Sequence, residues 1–88
     1  MLTFHQQAEL NDILQTAGFE LTESDQRHVV FSSSFDGNTL EIKIMTDHIQ
    51  PFISIKLNDQ SLIEQETKSF QALKQLITEF FSEYFDEN

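Results

Sequence analysis

The feature that most constrains the fold is a run of alternating apolar and polar residues on both sides of Asp36-Gly37. Asp-Gly is a favoured dipeptide in two-residue type I′ turns, in which both residues adopt positive φ. With the turn at this point, Phe31 faces Ile42 and Val29 faces Ile44. The apolar residues of both strands then share one side. The sequence therefore predicts an antiparallel hairpin with one buried face.

Helical spacing replaces this alternation at both ends of the chain. Thr3 and Gln6 match a capping box that begins a helix, and Gly18 supplies a left-handed stop. The last segment repeats apolar residues every three or four positions, with Thr67 or Ser69 as the N-cap. Its apolar side consists of Phe70, Leu73, Leu76, Ile77, Phe80, Phe81 and Tyr84.

The segment between the helices, residues 19–66, keeps the two-residue period of strands. Phe19 and Leu21 indicate a short first strand, and Asn58-Asp59 offers a second turn that leads into a last strand up to Glu66. One layer of helices on one layer of sheet is the simplest core for so short a chain. We expect a single α+β domain over residues 1–88: an N-terminal helix, a four- to five-stranded antiparallel sheet and a C-terminal helix, with both helices on one sheet face.

The residue types argue against catalysis. Cysteine is absent, which excludes disulfides, thiolate metal ligands and a cysteine nucleophile. The chain has two glycines, and the helix stop and the turn explain both, so no glycine-rich phosphate loop is available. The three histidines form no HExxH pair, and the serines of 32–34 lack the glycines of a nucleophile elbow. We predict that the protein is not an enzyme and uses no cofactor or metal.

The net charge of -10, from 15 acidic and 5 basic residues, points to a partner class. Nucleic acid and anionic lipid would both be repelled by this surface, whereas a basic protein would be attracted. No apolar run approaches the roughly 18 residues of a membrane span, and the first residues lack the basic start of a signal peptide. We expect a cytoplasmic protein with a basic protein partner, no direct contact with nucleic acid and no membrane association.

The negative charge is concentrated toward the two ends of the sequence, which contain both helices. Glu83, Asp86 and Glu87 occupy the last turn of the second helix, where the helix dipole favours cations. A local rule broken in this way is typical of a functional site, although a solubilising C-terminus is the alternative. The predicted partner-binding residues are Glu79, Glu83, Asp86, Glu87, Glu9 and Asp12.

The sheet face that points away from the helices is a second candidate surface. If Phe31 and Ile42 point toward the helices, the strand alternation turns several apolar residues to the opposite side. A partly apolar sheet face of this kind is typical of a homodimer or partner interface. The residues predicted to form it are Val30, Met45, Phe52 and Ile63.

The order helix, sheet, helix resembles the double-stranded RNA-binding domain in topology alone. Those domains bind through basic side chains near the second helix, whereas here Lys68 and Lys74 are followed by Glu79 and Glu83. The size and acidity resemble small bacterial or phage inhibitors of the anti-CRISPR and anti-restriction type. That resemblance implies an acidic nucleic-acid mimic that inhibits or regulates a basic, nucleic-acid-handling protein. The alternative is an adaptor or chaperone-like homodimer that binds through the open sheet face.

Overall fold

The computed structural model describes residues 2–47 and 49–85, which form two helices and one five-stranded antiparallel sheet. This architecture confirms the predicted α+β class and fixes the number of strands at five. The elements in chain order are α1 (Phe4–Thr16), β1 (Glu20–Ser24), β2 (His28–Phe35), β3 (Asn38–Met45), β4 (Phe52–Leu57), β5 (Gln60–Glu66) and α2 (Phe70–Phe85).

Both ends of α1 are capped as the sequence predicts. Thr3 Oγ1 accepts a hydrogen bond from the Gln6 backbone N–H at 3.1 Å, and Gln6 Oε1 accepts one from the Thr3 N–H at 2.9 Å. The two side chains thus satisfy amides that the first turn leaves without helical partners. After the last turn Gly18 adopts φ +94°, and the Phe19 N–H donates to the Leu14 carbonyl at 2.9 Å.

The hairpin register is the one that the sequence predicts. Asp36 and Gly37 have φ of 50° and 79°, as a type I′ turn requires. Phe31 lies opposite Ile42, and Val29 lies opposite Ile44. Both apolar pairs therefore belong to the buried face, and a shift by one residue would have exposed them.

The second predicted turn, Asn58-Asp59, also forms with positive φ at both residues. It joins β4 to β5, while Asn58 Oδ1 accepts a hydrogen bond from the Thr39 N–H at 2.9 Å. Strand order in the sheet follows chain order from β1 to β5. As a result, β1 and β5 are the two edges of the sheet formed by the described residues.

The two residues predicted as the N-cap of α2 have different roles in the structure. Ser69 Oγ accepts a hydrogen bond from the Ala72 N–H at 3.1 Å, so Ser69 is the capping side chain. Thr67 is buried and bonds to Pro51 instead, donating to its carbonyl through both Oγ1 at 2.8 Å and the backbone N–H at 2.7 Å. These two hydrogen bonds join the end of β5 to the segment before β4.

One hydrophobic core lies between the helices and the sheet. The apolar pairs of the predicted hairpin, Val29 with Ile44 and Phe31 with Ile42, are buried in it, and Phe19 stacks on Phe81 of α2 with ring centroids 5.5 Å apart. Both helices therefore pack on the same sheet face. The core cluster consists of Leu2, Leu10, Leu14, Phe19, Val29, Phe31, Leu40, Ile42, Ile44, Ile53, Ile55, Leu73 and Ile77.

The prediction that Ile63 lies on the open sheet face is wrong. A regular ladder from the Asn58-Asp59 turn would place Leu62 opposite Ile55, but the pairing shifts between Ile55 and Lys56, so Ile55 faces Ile63. Ile63 therefore packs against the core on the helix side, and Leu62 is 41 % exposed. A β-bulge of this kind inserts one extra residue and reverses the facing of those beyond it.

Candidate functional site

The structure places four of the predicted partner-binding acids on the exposed side of the helical layer, the layer formed by α1 and α2. Glu9 and Asp12 belong to α1, Glu79 and Glu83 to α2, and all four side chains are exposed. Asp86 and Glu87 lie outside the described residues. The acids of the two helices thus belong to one layer, as their positions in the sequence predicted.

The two helices meet along a groove of about 390 Å³ that contains Glu9 and Glu79. Lys74 also lines this groove, and its Nζ donates to Glu9 Oε2 at 2.6 Å. Glu79 accepts a hydrogen bond from Gln75 Nε2 at 3.1 Å. Glu9 is thus already compensated by a cation, whereas Glu79 is held by a neutral amide.

A larger groove of about 480 Å³ runs between β5 and α2; we call it the β5–α2 groove. Its apolar surface comes from Ile63, Leu76 and Phe80, which are half-buried and pack against the core. Charged residues line the same groove. They are Glu66, Lys68, Glu79 and Glu83.

Glu66 was not among the predicted partner-binding residues, although it lines the same groove as Glu79 and Glu83. Its position follows from the sheet order, which makes β5 an edge next to α2. The acidic excess near the C-terminus of the sequence was the available signal, but strand order was needed to use it. The structure thus brings together acids from a strand and a helix.

The open sheet face, the side of the sheet opposite the helices, is mixed in charge. Met45 of β3 lies opposite Phe52 of β4, and both are half-buried. Val30 is 8 % exposed, so its neighbours on the sheet cover most of it. One row of cross-strand neighbours on this face reads Glu23, Val30, Lys43, Ser54 and Glu64.

Burial differs between the two signs of charge. Every acidic side chain of the described residues is exposed. Three lysines are half-buried, namely Lys43, Lys56 and Lys74. The Nζ atom of Lys74 lies 5.2 Å from the centre of the Phe70 ring. Lysine stems commonly cover apolar surface in this way. Such stems leave the charged group in water, so the negative surface follows from the surplus of acidic over basic residues, 15 against 5.

Glu23, Asp25 and His28 form a cluster beside the β1–β2 turn whose potential ligand atoms lie within 4.8 Å of one another. His28 Nε2 contacts Glu23 Oε2, and His28 Nδ1 lies 3.4 Å from Asp25 Oδ1. The two ring nitrogens of an imidazole diverge, so one metal ion cannot use both. This geometry is that of an imidazole held between two carboxylates.

The Asp25 carboxylate also organises the turn itself. Its Oδ1 accepts hydrogen bonds from the backbone N–H groups of Arg27 at 2.7 Å and His28 at 2.9 Å. These donors, first Arg27 and then His28, lower the pKa of Asp25 below its ordinary value of 3.8. Hydrogen bonds to a carboxylate favour its charged form, and the fixed geometry of an Asx turn supplies two of them here.

No protein-family model matches this chain, and neither does any curated protein or solved structure. No helix of the described residues is long and apolar enough to span a membrane.

Proposed function

We propose that this chain is an acidic protein-binding module that inhibits or regulates a basic, nucleic-acid-handling protein by acting as a nucleic-acid mimic. The helical layer is its main binding surface. The observation that carries the proposal is the exposed acidic excess: every acidic side chain of the described residues is exposed, and the chain has 15 acidic residues against five basic ones, of which Lys74 is paired with Glu9.

The end of α2 supports the same assignment. Glu79 and Glu83 are four residues apart, so they are neighbours on the helix surface, where like charges repel. Glu83 also lies in the last turn, which contains no basic residue and where the dipole favours cations. A basic partner would relieve both unfavourable interactions. The unfavourable placement of these charges would therefore favour the binding of a basic partner at this end of the helix.

A variant of the helix end tests the proposal. The helix-end variant changes Glu79, Glu83, Asp86 and Glu87 to Gln or Asn, which keeps shape and removes charge. A control variant neutralises as many acids elsewhere: Glu20 and Glu41 to Gln, and Asp36 and Asp59 to Asn. Asparagine tolerates the positive φ of both turn positions.

The measurement is affinity for a partner captured from the native host, at two salt concentrations. We expect the helix-end variant to bind more weakly and to show a smaller salt dependence, because fewer charges attract the partner. Thermal stability should stay unchanged or rise slightly. Equal affinity and equal salt dependence for wild type and the helix-end variant would show that these acids only solubilise the chain.

A homodimer formed through the open sheet face is the second candidate. Met45 and Phe52 are neighbours there, and the groove beside them, of about 190 Å³, carries Lys43, Lys56 and Glu64. A face with both signs of charge can pair with itself across a twofold axis. Sedimentation tests this candidate: a dimer that Phe52→Asp converts into a folded monomer supports it, and a monomeric wild type rejects it.

A further inference from the structure

We propose that the β5–α2 groove binds an extended segment of the partner with alternating apolar and basic residues, which adds to β5 as a sixth strand. The inference rests on the proposed function in that the partner is a basic protein. It specifies the site, the conformation of the bound segment and the sequence pattern that is recognised.

The first argument is the free edge of the sheet. β5 pairs with β4 on one side and has no strand neighbour on the other among the described residues. All of its residues are exposed except Ile63, which is half-buried. An edge strand presents unpaired N–H and C=O groups, and an extended peptide can satisfy them.

The second argument is the apolar surface on the helix side of this edge. Ile63, Leu76 and Phe80 pack against the core and also line the groove, next to the small side chain of Ala72. Alternate side chains of an added strand point to opposite faces of the sheet. Those on the helix side would cover this surface, and the volume of about 480 Å³ suits a few side chains of a peptide.

The third argument is the charge on both sides of the added strand. Glu64 and Glu66 of β5 lie opposite Ser54 and Phe52, so they belong to the open sheet face, where basic side chains of the segment would meet them. Glu79 and Glu83 border the groove from α2. Among the described residues that line the groove, Lys68 is the single cation. The acids favour a basic strand and disfavour pairing with a second copy of β5, because like charges would then lie side by side.

The opposite edge of the sheet lacks this combination. Each edge strand contains one pairing irregularity, β1 between Leu21 and Glu23 and β5 at Leu62, so the bulges do not distinguish the two edges. The groove between α1 and β1 is smaller, about 240 Å³, and none of the described residues that line it is charged. The amides of β1 therefore serve as an internal control for those of β5.

The experiment uses the full chain and a fluorescein-labelled synthetic peptide of four Lys-Val repeats, with a peptide of four Glu-Val repeats as the charge control. Anisotropy gives affinity at low salt, and amide hydrogen exchange followed by NMR locates the contact. We expect the Lys-Val peptide alone to bind, with slower exchange of β5 amides and no change in β1.

Two sets of substitutions assign the site. In the groove set, Glu66, Glu79 and Glu83 become Gln together, and Ala72→Phe separately fills the groove. The matched control changes Glu20 and Glu41 to Gln and Asp36 to Asn. We expect each groove variant to weaken Lys-Val binding about tenfold and the control to change it by less than about twofold.

Three outcomes overturn the inference. They are Lys-Val binding without slower β5 exchange, equal losses for the groove triple variant and its control, and no binding of the Lys-Val peptide. None of the three decides the proposed function, because the helix-end variant and the captured partner test that separately. Slower exchange of the β5 amides, together with loss of Lys-Val binding in the Ala72→Phe variant, supports the inference. That support stands even if neutralising acids elsewhere in the chain also lowers the affinity for the natural partner.

Discussion

Lys74 Nζ lies 2.6 Å from Glu9 Oε2 and 5.2 Å from the centre of the Phe70 ring, so one cation joins α2 to α1 and also covers an aromatic face. The pair spans 65 positions of sequence. Because Lys74 offsets its charge, Glu9 contributes less to the negative potential of the helical layer than Glu79 or Asp12.

The Glu9–Lys74 pair should contribute modestly to stability. Both side chains are partly exposed, at 47 % and 24 %, so solvent screens the attraction. A double-mutant cycle with Glu9→Gln and Lys74→Met, followed by urea unfolding, should give a coupling free energy of about 0.2–1 kcal/mol. A coupling of zero would contradict a stabilising contribution from this pair.

Substitution of Ile77 should be among the costlier changes in the chain. Ile77 is fully buried between α2 and the sheet, so Ile77→Ala loses transfer free energy and leaves a cavity. We expect the free energy of unfolding to fall by about 2–5 kcal/mol. Ile49→Ala is the matched control, because Ile49 is 94 % exposed and the same change should cost little there. Similar losses at both positions in urea unfolding would contradict this core.

Gly37→Ala should destabilise the central hairpin through backbone strain alone. Gly37 has φ +79°, and a Cβ at this position would meet nothing within 4 Å, so crowding plays no part. A left-handed conformation costs an L-residue about 1–2 kcal/mol, and we expect that loss in the free energy of unfolding. D-alanine at position 37, introduced by chemical synthesis, is the control and should restore or raise stability. An equal loss for both enantiomers would point to another cause.

The Asp25 carboxyl group should titrate below its ordinary pKa of 3.8, because the N–H groups of Arg27 and then of His28 stabilise its charged form. In the pH window between the lowered pKa and the ordinary one, the unfolded chain binds a proton that the folded chain does not. The stabilisation from Asp25 is therefore complete above the ordinary pKa and is lost as the pH falls through the folded pKa.

The carboxyl carbon shift of Asp25, followed by NMR, measures this titration. The midpoint in the native protein should lie below that of the same group in denaturing urea. Asp25→Asn is the control, since it removes the titrating group and should remove this share of the pH dependence of unfolding. Equal midpoints in the native and denatured chains would show that the turn hydrogen bonds are not maintained in solution.

The residues that the sequence located correctly are those whose conformation depends on near neighbours. Thr3 and Gln6 cap α1, and Gly18 ends it, because caps are made within one helical turn. The Asp36-Gly37 turn set the β2–β3 register for the same reason. Ile63 was misplaced because the irregular pairing at Lys56 depends on the packing of β5 against β4.

By itself the sequence determined the class of fold, the central register and the acidic character of the chain, because hydrophobic period, turn chemistry and net charge are local or additive properties. Only the tertiary structure decided that β5 is a free edge next to α2, that Glu66 lines a groove with Glu79 and Glu83, and that Glu9 is paired with Lys74. These relationships join residues far apart in the chain. They depend on strand order, a bulge and helix packing, for which no short stretch of sequence carries the signal.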